Sequence, residues 1–134
     1  ISKLRKTMEV NLFGLADFTE KIISLINDGG HIVNISSIAG SFAHVDTGKG
    51  RAPNFYPAYR ISKAGLNMYT NTLAERLRPL NICVSSLHPG LTKTEMGGEE
   101  ALQTTEEAGQ KIFDFANSKV ETGNFWHNGE ILAW

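Results

Sequence analysis

Apolar residues recur at Leu4, Met8, Leu12, Leu15, Ile22 and Ile26, and spacings of three, four and seven predict a helix over residues 3–26. Asn27-Asp28-Gly29-Gly30 stops it, because glycine accepts the left-handed backbone that helix ends favour. The next six residues, HIVNIS from His31 to Ser36, are β-branched and bounded by turn formers, so they predict a strand. Residues 40–56 hold three glycines, a proline and mixed charges with no period. They read as a long loop, and loops of that length are often functional. A second helix starts near Pro57, whose fixed φ suits a first turn, and it cannot run past Pro79. Residues 81–87 (NICVSSL) form a second strand, closed by His88-Pro89-Gly90. A third helix follows Thr104-Thr105-Glu106-Glu107, with a hydroxyl cap and an acidic first turn. The tail, residues 123–134, supplies a last strand around an Asn128-Gly129 turn. Helix and strand alternate, which predicts an α/β layer structure. With no repeat or linker, residues 1–134 read as a single unit.

Composition narrows the function classes. Thirteen basic against fourteen acidic residues leave a net charge of -1, so the basic footprint of a nucleic-acid binder is missing. No apolar run approaches the roughly 20 residues that span a bilayer, so no membrane segment is expected. One cysteine, Cys83, excludes an internal disulfide and fits a reducing, cytoplasmic setting. It lies on an apolar strand and reads as a small buried hydrophobe. His31, His44, His88 and His127 lack ligand-like spacing, so no metal site is expected.

Two positions in the first helix break local rules. Asn11 sits among apolar residues, where its side chain competes for backbone hydrogen bonds. Gly14 costs about 1 kcal/mol relative to alanine in a helix interior. Such conflicts mark functional or strained sites, and the bland alternative is a surface asparagine beside a glycine that admits a close neighbour. In the second helix Tyr59 and Lys63 are four apart, so one turn brings them to the same face. A phenol is a poor acid or base at neutral pH, and an adjacent ammonium stabilises the phenolate and makes proton transfer useful. Spacing alone leaves a rival, since Tyr56 has Arg60 four residues on.

The neighbours of that helix narrow the choice. YRISKAG (59–65) follows a strand ending NISSIAG (34–40) and precedes one ending His88-Pro89-Gly90, with Thr94 shortly after. Asn11-Leu12-Phe13-Gly14 lies upstream. These motifs, in this order, resemble the short-chain dehydrogenase/reductase family. HPGLTKTEMGG and the TGNFWHNGEILAW tail look most like its carbonyl-reductase or C-factor-like branch. The resemblance implies the C-terminal part of a doubly wound, Rossmann-type parallel sheet flanked by helices. It implies hydride transfer between NAD or NADP and a small-molecule carbonyl or alcohol, with NADP slightly preferred.

Roles follow from the resemblance residue by residue. Tyr59 would exchange the proton with the substrate oxygen, and Lys63 would hold the ribose hydroxyls and favour the phenolate. Ser37 would hydrogen-bond the substrate oxygen. It is preferred to Ser36 because it matches the second serine of the family's pair, and strand alternation points only one of the two at the site. Asn11 would position a water linking Lys63 to solvent. Pro89 and Gly90 would shape the turn against the nicotinamide, with Thr92 and Thr94 on its carboxamide and phosphate side. The alternative for both threonines is that they cap a short turn.

Departures from the pattern carry expectations of their own. Ser37 and Tyr59 are 22 residues apart, so residues 41–55 form an extra loop over the substrate cleft, where Lys49-Gly50-Arg51 is solvated or touches substrate. No glycine-rich loop joins a strand to a helix, so the pyrophosphate-holding half is absent and the chain reads as a fragment. A parallel sheet lacking its first strands would have an open, apolar edge that invites aggregation. The second helix is apolar on two faces, which predicts a homodimer or homotetramer through the first two helices, with Gly65 as the point where added bulk weakens assembly. The rival reading is a truncated, non-catalytic interaction module.

Overall fold

A computed structural model describes residues 1–44 and 56–134, and the Lys49-Gly50-Arg51 expectation lies outside the described residues. The first helical stretch is not one regular helix. α1 (Ser2–Met8) opens into a wider turn over Glu9–Phe13 before α2 (Gly14–Ile22), and a tight turn over Ile23–Leu25 ends it. The Gly14 N–H reaches back five residues to the Glu9 carbonyl, and a Cβ on Gly14 would lie 3.1 Å from that oxygen. The glycine therefore stands where the widened turn closes.

β1 (His31–Ile35) and β2 (Cys83–Leu87) pair in parallel, with His31 opposite Cys83 and Ile35 opposite Leu87. β3 (Phe125–His127) joins β2 in parallel, and β4 (Glu130–Leu132) joins β3 antiparallel, giving the order β1-β2-β3-β4. The single last strand expected from the tail is thus a hairpin, and the sheet is mostly rather than wholly parallel. Asn128 (φ 47) and Gly129 (φ 83) form a two-residue turn with both residues left-handed, which returns the chain antiparallel.

α3 (Pro57–Leu77) covers one face of the sheet. It buries Ala58, Ser62, Leu66, Thr70, Leu73 and Leu77, a stripe at helical spacing. Leu73, Ala74 and Leu77 pack with Ile82 and Val84 as the apolar core, flanked by Ile23, Ile26, Ile32 and Tyr69. Nearer the carboxyl ends of the strands the same interface becomes polar. Asn34 and Ser86 both donate to Thr70 Oγ1, at 2.9 and 3.0 Å, and Ser36 donates to Asn67 Oδ1 at 2.5 Å. All five residues are buried, and their mutual bonds offset the cost of removing them from water.

α4 (Thr105–Ala116) starts on a complete capping box between Thr104 and Glu107. It packs on the opposite face. His31, out of phase with Asn34 along β1, meets Ser85 Oγ, the Ala116 carbonyl and the Phe115 ring. The chain is therefore an α/β fold with an open, mostly parallel sheet flanked by helices on both faces. Among the described residues no helix is long and apolar enough to cross a membrane.

Two expectations change. Cys83 is only half-buried, and its thiol lies near Ser85 Oγ and the Val120 carbonyl. Gly65 faces its own chain, because a Cβ there would sit 2.9 Å from Leu12 Cδ2. Bulk at Gly65 disturbs the packing of the first helical stretch on α3, so it is not a clean probe of assembly.

Candidate active site

Parallel strands deliver their carboxyl ends to one rim, so the segments after β1 and β2 emerge together. After β1 the two serines diverge, as alternation requires. Ser36 turns inward to Asn67, while Ser37, in extended backbone, accepts from the Ala39 N–H at 3.2 Å and caps the short turn Ile38–Gly40. Among the described residues its one O–H has no acceptor and can donate elsewhere. Gly40 closes this turn directly on the backbone of α3, where a Cβ would lie 2.6 Å from the Lys63 carbonyl carbon. The contact docks the Ser37 turn beside Lys63.

Lys63 Nζ donates to the Ile35 carbonyl at 2.8 Å and lies 5.6 Å from the centre of the Tyr59 ring. Its partial burial lowers its pKa from the ordinary lysine value, and among the described residues two of its three N–H groups remain for other acceptors. Tyr56, the rival tyrosine, is 68% exposed and precedes α3 in the left-handed region, whereas Tyr59 lies within the helix and is half-buried. Asn11, in the widened turn, donates to Ser62 Oγ at 3.0 Å, and Ser62 donates to the Tyr59 carbonyl at 2.7 Å. The asparagine that broke the helix pattern thus buttresses the first turns of α3.

After β2, Gly90 takes φ 94, a conformation glycine adopts without strain. Thr92 Oγ1 donates to the Gly90 carbonyl at 3.3 Å. Thr94 is exposed, donates to the Thr92 carbonyl and accepts from the Gly97 N–H at 3.0 Å. Beside Pro89, the His88 ring lies tilted by 30° against His127 with ring centres 4.6 Å apart, and its Nδ1 is buried without a partner among the described residues. Burial, then the nearby charges of His127 and His44, brings the His88 pKa down to about 4.

The structure thus gathers Ser37, Tyr59, Lys63 and Asn11 around the start of α3, with residues 89–94 following the neighbouring strand. Sequence reasoning missed Ser62, Asn67 and Gln103. The first two carried a signal, as polar residues on the buried face of an otherwise apolar helix. Gln103 carried none. Among the described residues no group of three or more His, Cys, Asp or Glu could hold a metal ion.

The sequence profile described as short chain dehydrogenase matches residues 1–105. Two solved structures share the fold closely. Carbonyl reductase Sniffer of D. melanogaster has a TM-score of 0.85 at 30% identity, over 99% of this chain and 58% of that one. The NADPH-bound carbonyl reductase from chicken fatty liver has a TM-score of 0.83 at 25% identity, over 100% of this chain and 58% of that one. The C-signal protein of Myxococcus xanthus is 26% identical over 136 residues, 98% of this chain and 78% of its own length. The chain therefore spans less than three-fifths of the length of both carbonyl reductases.

Proposed function

The chain belongs to the short chain dehydrogenase family, and from that premise we propose that it supplies the proton-transfer residues of a nicotinamide-dependent oxidoreduction between a carbonyl and an alcohol. The observation that carries this is the half-buried Lys63 ammonium, pinned to the carbonyl of Ile35 and held 5.6 Å from the Tyr59 ring beside the Ser37 turn. A fixed cation next to a phenol stabilises the phenolate that forms when the proton leaves. Tyr59 gives its proton to the substrate oxygen during reduction and takes it back during oxidation. Ser37 donates its O–H to the same oxygen as charge develops there. Asn11 acts through Ser62 to hold the Tyr59 backbone, and a water at Asn11 linking Lys63 to solvent extends the same relay.

The donor set fits the nicotinamide riboside end of a cofactor. The Lys63 N–H groups not used on Ile35 and the Tyr59 hydroxyl suit vicinal ribose hydroxyls, and the Pro89-Gly90 turn with Thr92 and Thr94 supplies a wall beside them. Bound there, the nicotinamide supplies or accepts the hydride. The sequence has no glycine-rich strand-to-helix loop, so these residues do not hold the pyrophosphate. NADP is the favoured cofactor, in line with the NADPH-bound relative. The substrate is a small carbonyl or alcohol, the setting cytoplasmic and the assembly a homodimer or homotetramer.

Tyr59→Phe in the complete protein tests the mechanism. Turnover with NADPH and a carbonyl substrate should fall at least about a hundredfold, the usual worth of a positioned proton donor, while NADPH affinity falls far less, because Lys63 keeps its own donors to the ribose. Normal turnover in this variant removes Tyr59 from the chemistry. Failure of the unaltered protein to bind either dinucleotide favours the interaction-module reading.

A further inference from the structure

We propose that Gln103 is a positioning residue that clamps the turn at residues 89–92, and that Lys111 on α4 sets the orientation of Gln103. This rests on the reading of that turn as the nicotinamide wall. Gln103 is buried, 7% exposed, and follows an irregular stretch that leaves Leu91, Met96 and Leu102 open to solvent. Its Nε2 donates to the Pro89 carbonyl at 2.6 Å and to Thr92 Oγ1 at 3.0 Å. Its Oε1 accepts from Lys111 Nζ at 2.8 Å. An ammonium can only donate, so Lys111 must face the amide oxygen, and both amide protons are left for the turn. The backbone adds a second tie, since the Lys93 N–H donates to the Gln103 carbonyl at 2.9 Å and Thr92 pairs with Gln103 in a parallel bridge.

Gly90 is shaped to this clamp. A Cβ there would lie 2.7 Å from Gln103 Nε2, so the bare glycine is the space the amide fills. The amide thus touches both ends of the turn, at Pro89 and Thr92, and its anchor lies on a helix that packs on the far face of the sheet. A glutamine buried only for packing would need its polar atoms satisfied by any partners at hand. Here, among the described residues, every side-chain partner except Lys111 belongs to the one turn.

Three variants of the complete protein separate the readings, measured by NADPH and NADH dissociation constants and by hydrogen exchange without dinucleotide. Gln103→Ala should weaken NADPH binding about tenfold and speed exchange at the amides of Leu91 and Thr92, leaving the strand amides unchanged. Gln103→Met keeps the length and bulk of the side chain but cannot donate to Pro89 or Thr92. It should weaken binding and speed exchange as much as Gln103→Ala does. Lys111→Met should weaken binding by a smaller factor, about threefold, because the donors survive and only their orientation loosens. Binding by Gln103→Met within twofold of the unaltered protein, with the loss confined to Gln103→Ala, makes the role one of packing and overturns the clamp. Binding within twofold of the unaltered protein in Gln103→Ala, with unchanged exchange, also overturns it and leaves the nicotinamide reading intact. Should the unaltered protein bind neither dinucleotide, both readings fall together.

Discussion

His88 stays neutral in the fold well below the pH at which a free histidine takes its proton. The unfolded chain protonates near 6.5, and the folded ring, withdrawn from water and facing His127 and His44, resists until about 4. In that window the unfolded state binds more protons, so stability present above pH 6.5 is lost as pH falls towards 4. His31 adds in the same direction, because burial lowers its pKa against a smaller opposing bond to Ala116. Glu20, held below the ordinary carboxylate value chiefly by Arg76, loses its contribution only at lower pH. A melting curve followed from pH 7 to 4 should therefore drop, and His88→Gln should flatten it. Parallel curves for the two proteins would acquit the histidine. At this scale the sequence was legible where two side chains share one helix face, as Tyr59 and Lys63 do. It was silent where a side chain acts across an irregular segment, as Gln103 does, since no local rule ties residue 103 to residue 89.

Elements meet here by close backbone approach as much as by apolar contact. Gly40 is the clearest case, with α3 backbone 2.6 Å from where its Cβ would be. Gly40→Ala should cost about 1–3 kcal/mol, as overpacking a rigid contact does, and should loosen the Ser37 turn. Gly109, mid-way along exposed α4, has nothing within 4 Å of its own missing Cβ. Gly109→Ala should gain about 1 kcal/mol from helix propensity alone. Denaturant midpoints for the pair decide it, and equal shifts would mean that space at Gly40 does not matter. The helices and inner strands were readable from periodicity, because each turns a continuous apolar stripe or a β-branched run to the core. The widened turn at Glu9–Phe13 was not, since Met8, Leu12 and Leu15 keep helical spacing through it. The clue lay instead in Asn11 and Gly14, the two residues that fitted the helix poorly.

Across the whole molecule, the exposed apolar residues gather partly on the first helical stretch and its neighbour α3. Val10 and Phe13 are 74% and 54% exposed, and Ile61 and Met68 on α3 are 48% and 67% exposed. Solvent-facing side chains of this size carry the proposed subunit contact. Ile61→Glu with Met68→Glu should halve the mass seen by light scattering while leaving the far-ultraviolet dichroism unchanged. An unaltered mass would move the contact elsewhere. The α/β class followed from the order of elements, but the strand count did not, because a two-residue turn divides one short apolar tail into a hairpin. The parallel pairing of β1 and β2 has one more consequence. Every candidate residue from these strands leaves by the same end, while the other end is tied off by Asn81 Nδ2 donating to Asp28 and the Gly29 N–H to the Asn81 carbonyl. A five-residue strand keeps the two ends roughly 16 Å apart. A fluorophore or affinity handle attached at Asp28 would therefore report on folding and capture from the side of the molecule where the chemistry is not.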